Sequence, residues 1–75
     1  MNVYPNPANH VLNITFDNAI QTKVLLFDAQ GKIIAETAIN SQNYILPLSH
    51  LQEGMYFLNV TSDDLTETKK IFVVH

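Results

Sequence analysis

Apolar and polar positions alternate with a period of two along almost the whole chain, which therefore reads as a succession of short strands. In residues 10–16, Leu12, Ile14 and Phe16 share one face while Asn13 and Thr15 share the other. Residues 22–28 are apolar on both faces, the pattern of a central strand covered on each side. Asp28-Ala29-Gln30-Gly31 predicts a type I turn with Gly31 left-handed, a hairpin closed by a glycine bulge and running directly into a strand over 32–38. Beyond the polar break at 40–43, Tyr44, Leu46 and Leu48 share a face. Pro47 cannot donate to a ladder, so that strand either lies at an edge or ends there. Residues 49–54 read as a turn whose Leu51 tucks into the core. In 55–61, Tyr56, Leu58 and Val60 face one way. A polar turn at 62–66 leads to a last strand over 67–74, with Ile71 and Val73 on one face and Lys70, Phe72 and Val74 on the other.

With Val3 and Tyr4 added at the front, the count is about seven short strands at spacings near 10 residues, the signature of an antiparallel all-β sandwich. No segment carries a helical i, i+3, i+4 pattern longer than two turns. The 75 residues hold no cysteine, two glycines and three prolines, and 47% of them are apolar. That composition fits one domain spanning 1–75, too small for a large enclosed pocket. The absence of cysteine removes disulfides, thiolate nucleophiles and Cys-based zinc sites. Four Lys, no Arg and seven Asp or Glu leave a net charge of −3, which argues against a nucleic-acid partner. No apolar run has the length of a transmembrane helix, and Met1-Asn2-Val3-Tyr4-Pro5 is not the start of a signal peptide. The chain is expected either to stay where it is made or to be a piece of a longer chain.

Candidate chemistry is sparse. His10, His50 and His75 sit on separate segments without metal-ligand spacing and read as surface imidazoles. Ser49-His50 has no nearby acid to orient the imidazole, so it does not form a nucleophile–base pair. Asp63-Asp64 lacks the ligand ladder of a calcium loop and reads as a solvated turn. Asn13-Ile14-Thr15 and Asn59-Val60-Thr61 match the glycosylation acceptor pattern but fall inside strands. The expectation is a protein with no catalytic residues, no metal and no cofactor.

Two features stand out. In Tyr4-Pro5-Asn6-Pro7-Ala8 the prolines stiffen the backbone, so the segment either caps the sandwich and covers an edge or acts as a linker through Pro5 and Pro7. The last strand places Lys70, Phe72 and Val74 on its outer face. Those side chains are either covered by a neighbouring element or left for a partner to read by edge pairing or side-chain pockets.

The ordered set Val3-Tyr4-Pro5-Asn6-Pro7-Ala8, Leu12-Asn13-Ile14, Asp28-Ala29-Gln30-Gly31-Lys32, Leu51-Gln52-Glu53-Gly54-Met55-Tyr56 and Lys70-Ile71-Phe72-Val73-Val74 resembles the C-terminal sorting domain, type A, of type IX secretion cargo. The resemblance covers essentially the whole chain. It implies an immunoglobulin-like sandwich at the end of a larger secreted protein of a Bacteroidetes-type bacterium. Such a domain directs an N-terminally fused cargo from the periplasm through the outer-membrane translocon. A shuttle protein and a cell-surface sortase then receive it, and the cargo ends secreted or on the cell surface. By position, Gly54 and Tyr56 match the family's Gly-x-Tyr element. Lys70, Phe72, Val73 and Val74 fall in its terminal signal strand. Gln52-Glu53 departs from the family, which often has proline just before the glycine.

Other classes remain open at this point. A non-catalytic carbohydrate- or protein-binding sandwich would show an aromatic platform, whereas most of the seven aromatics are expected on core faces. A structural spacer is a third reading. An open sheet edge would also permit self-association.

Overall fold

The computed structural model describes residues 2–5, 8, 10–16, 21–62 and 65–75, with backbone alone at Leu65. Seven strands form: β1 (Asn2–Tyr4), β2 (Val11–Thr15), β3 (Thr22–Asp28), β4 (Ile33–Ile39), β5 (Asn43–Pro47), β6 (Gly54–Ser62) and β7 (Leu65–Val73). They make two sheets, ordered β1-β2-β5 and β4-β3-β6-β7, and every strand-to-strand ladder is antiparallel. Seven strands in two antiparallel sheets are the sandwich expected from the strand count and the resemblance.

The alternation decides which side chains enter the core, because the pleat sends neighbours to opposite faces. Leu12, Ile14 and Leu46 of one sheet meet Val24, Leu26, Tyr56, Leu58, Val60, Ile71 and Val73 of the other in one buried cluster, together with Ala8 and Leu48. Phe16, Tyr44 and Leu51 pack against it as half-buried residues. Thr22 is buried as well, at the start of β3.

Local chemistry shapes the β3–β4 hairpin. The Gly31 N–H donates to the Asp28 carbonyl at 3.0 Å, and Gly31 has φ +86°, a conformation that needs no Cβ. Asp28 Oδ1 accepts from the N–H groups of Gln30 and Lys32, both at 2.9 Å, which holds the turn closed. Phe27 then pairs with Ile33 while Leu26 pairs with Ala35, so Ile34 is the extra residue of a bulge. Pro47 ends β5 on an outer edge, as its missing N–H requires.

Three features differ from the sequence reading. The β6–β7 hairpin starts a residue earlier, at Gly54, and extends nearer its turn, pairing Ser62 with Leu65, while its last strand stops at Val73 rather than Val74. Ladder bonds need no apolar side chain, and polar pairs extend them: Asn59 Nδ2 donates to Thr68 Oγ1 directly opposite, at 3.0 Å. Second, β3 is flanked by β4 and β6 but is covered by the other sheet on one face only. Leu25 and Phe27 on its outer face remain half-buried because the sandwich has two layers. Third, Pro5 does not lead into the domain from outside. It follows β1, across a cis Tyr4–Pro5 peptide bond, and precedes Ala8, which is itself paired. Pro7 lies outside the described residues, as do Asp63 and Asp64.

Candidate recognition surface

The turn before β6 brings three sequence-marked residues together. Gly54 opens the strand with φ +155°, a value that side-chain-bearing residues rarely adopt. Two residues on, Tyr56 enters the core, and its hydroxyl donates to the Gln52 carbonyl at 2.7 Å. That bond from an early residue of the strand back across the turn is the tyrosine corner of immunoglobulin-like sandwiches. The Gly-x-Tyr element thus shapes a corner. Its tyrosine is turned away from any docking partner.

His75 closes over the same turn. Its N–H donates to Glu53 Oε1 at 2.9 Å, and its Nε2 lies 2.6 Å from the Leu51 carbonyl. His50 belongs to the same turn and His10 lies apart at the start of β2, and among the described residues no three His, Asp or Glu side chains gather as metal ligands would.

On β7 the two faces separate cleanly. Ile71 and Val73 are each 1% exposed, whereas Phe72 is 46% and Val74 51% exposed. Lys70 shares the outer face with them and is also exposed. Val73 therefore contributes packing, and only Lys70, Phe72 and Val74 of the terminal group present side chains outward.

The backbone edge behind them is in use. Ala8 forms a parallel bridge to Val73: its N–H donates to the Phe72 carbonyl and its carbonyl accepts from the Val74 N–H, both at 2.8 Å. Ala8 thus covers part of that edge. A partner cannot add a strand at Val73 without displacing Ala8, so side-chain contact is the mode left at this end.

Sequence reasoning missed how far this surface extends. Strand register lines up Ile33, Phe27, Phe57 and Lys70 across the outer face of the four-stranded sheet, with Met55 opposite Phe72 in the next row. Ile33 is 52% exposed, and Phe27, Met55 and Phe57 are half-buried. An apolar face with a lysine at its rim has the make-up of a protein-interaction surface. The signal for it in the sequence is the two-sided apolar pattern of residues 22–28, which fits an open apolar face as well as a covered one. Of the seven aromatics, only Phe16, Tyr44 and Tyr56 pack in or against the core cluster. Phe27, Phe57 and Phe72 share the outer face, contrary to the expectation that most aromatics point inward.

The family described as "Secretion system C-terminal sorting domain" matches residues 2–74. The chain is 33% identical over 63 residues to ulvan lyase NLR42 of Nonlabens ulvanivorans, covering 83% of this chain and 12% of that protein. It is 29% identical over 59 residues to beta-agarase A of Zobellia galactanivorans, covering 77% of this chain and 11% of that protein. The chain thus corresponds to a small part of each curated relative.

Proposed function

This chain belongs to the secretion-system C-terminal sorting domains, and from that premise we propose that the outer β6–β7 surface is the address that the export machinery reads. The family is a type IX sorting signal and is non-catalytic, serving proteins secreted or displayed beyond the outer membrane. A signal of this kind has to fold unaided, carry no reactive group and present a distinctive surface.

The supporting observation is the division of β7: Ile71 and Val73 buried, Phe72 and Val74 half exposed beside Lys70. Buried residues hold the strand flat while the outward ones form a graded apolar patch with one cation. In this reading the translocon engages Lys70, Phe72 and Val74 by side-chain contact, and the shuttle protein and sortase receive the same folded unit. Gly54 and Tyr56 act indirectly, by fixing the corner from which β6 starts. The fused cargo lies upstream and is not chosen by the domain.

The test is export of a reporter fused ahead of the domain, with Lys70→Ala and Phe72→Ala combined. Both side chains leave the core intact, so the double variant is expected to fold and to lose export. Normal export by a folded double variant would eliminate this face as the signal.

A second reading has one observation behind it. Phe27, Phe57 and Phe72 on one face could stack on sugar rings, and the two relatives carry names of polysaccharide-degrading enzymes. Retention of the isolated chain on insoluble agarose or ulvan, lost on Phe57→Ala, would favour glycan binding over sorting.

A further inference from the structure

Four strands have an outer edge, and three of those edges are guarded. β1 is three residues long and is followed by Pro5. β5 is five residues long and ends in Pro47. β7 is bridged by Ala8 at Val73, and its remaining length carries Glu67, Lys69 and Lys70. Glu67 and Lys69 even stand on the same side of the strand as buried Ile71 and Val73, the inward-pointing charges that oppose edge pairing.

β4 is different. It spans seven residues, Ile-Ile-Ala-Glu-Thr-Ala-Ile, with no proline and one charge. That charge, Glu36, is engaged within the chain, with Lys23 Nζ 3.0 Å from its Oε2. The bulge at Ile34 disturbs only the start of the strand, leaving Ala35 to Ile39 regular.

The hydrogen-bond parity of this edge follows from the ladder. The Asp28 N–H donates to the Lys32 carbonyl, so Asp28 points toward β4. Backbone groups alternate sides along an antiparallel strand, so Leu26, Val24 and Thr22 also point toward β4. Their partners Ala35, Thr37 and Ile39 point back, and the N–H and C=O groups of Glu36 and Ala38 project outward. Carried across β6, the same parity directs Phe72 and Val74 outward from β7, where their bonds to Ala8 are found.

We propose that β4 is a self-association edge, at which a second copy of this chain pairs antiparallel about Thr37 and joins two four-stranded sheets into one. The occupant follows from self-complementarity. Centring on Thr37 places outward-directed Glu36 opposite Ala38 of the second copy, and Ala38 opposite its Glu36, so both pairs exchange ladder bonds. Thr37 faces Thr37 at the close, non-hydrogen-bonded position, and Ala35 faces Ile39. Centring on Glu36 would oppose like charges. Centring on Ala38 would draw in Asn40, which lies beyond the strand. This proposal stands independently of the export reading.

Sedimentation of the 75-residue chain up to about 1 mM is expected to show a monomer–dimer equilibrium. The chain has no cysteine, so Thr37→Cys supplies a single thiol. In the proposed register the two Cα atoms lie about 4.5 Å apart, within disulfide reach. Oxidation should join Thr37→Cys chains at least about tenfold faster than Ala38→Cys chains, whose thiols are offset from each other by two residues along the strands. Ala38→Pro removes an outward N–H that the ladder within the chain does not use, and should leave a folded monomer. Ala38→Glu is the second variant, should proline disturb the fold: it sets a carboxylate against Glu36 of the second copy at both pairs and is expected to leave a monomer by like-charge repulsion. A chain that remains monomeric throughout, equal cross-linking at the two positions, or a dimer that survives Ala38→Glu would overturn the proposal. The last two outcomes would point to another edge or another register.

Discussion

Replacing Ile71 by alanine and, separately, Phe72 by alanine alters two adjacent residues of β7 that differ mainly in the face they occupy. Ile71 is 1% exposed and lies in the cluster that joins the two sheets. Removing its outer carbons leaves a cavity between layers held by ladders on both sides, so the loss should fall in the usual range of about 2–5 kcal/mol. Phe72 is already 46% exposed. Complete burial of such a side chain is worth about 1.5–3 kcal/mol, so roughly half that, about 1 kcal/mol, is at stake. A domain of 75 residues has a total stability of about 4–11 kcal/mol. Ile71→Ala therefore removes a large share of it, and Phe72→Ala a small one. Urea titration followed by far-ultraviolet circular dichroism should show a clearly lower midpoint for Ile71→Ala at unchanged slope, and a minor shift for Phe72→Ala. Thermal midpoints should fall by about 8 °C or more in the first case. Equal losses, or a larger one for Phe72→Ala, would mean that the two faces of β7 are not divided as described. The division into packing and display residues would then fail with it.

Two further variants probe the corner before β6. Gly54→Ala should lower stability by about 1–3 kcal/mol in urea titration, entirely through backbone strain, since a Cβ at that position meets nothing within 4 Å; a neutral result would show that the turn relaxes freely. Tyr56→Phe removes the 2.7 Å bond to the Gln52 carbonyl while keeping the ring in the core. It should lower stability by about 0.5–1.5 kcal/mol in the same titration, and no change would mean that water replaces the hydroxyl.

The corner also illustrates what can be read in advance. Gly54 and Tyr56 are noticeable in the sequence as a spaced pair, yet their work is visible only once β5 and β6 lie in different sheets with the turn between them. A signal residue and a shaping residue look alike in one dimension. Val73 makes the same point: it lies between Phe72 and Val74 in the terminal strand, and the pleat turns it into the core. The openness of the apolar outer face has no local mark in the sequence. Leu25 and Phe27 alternate with Val24 and Leu26, and nothing in a both-sided apolar run states whether a third layer exists to cover it.

Local rules set much of this protein without reference to the rest of the fold. Parity along each strand, the Asp28–Gly31 turn and the place of Pro47 at an edge depend on pleat, φ restriction and missing donors, which act over two to four residues. Which sheet each strand joins, which edge Ala8 shields, and which apolar face stays open to solvent were settled only on assembly. Those outcomes depend on pairings between residues far apart in sequence, such as Ala8 with Val73, and a period-2 pattern carries no information about its partner.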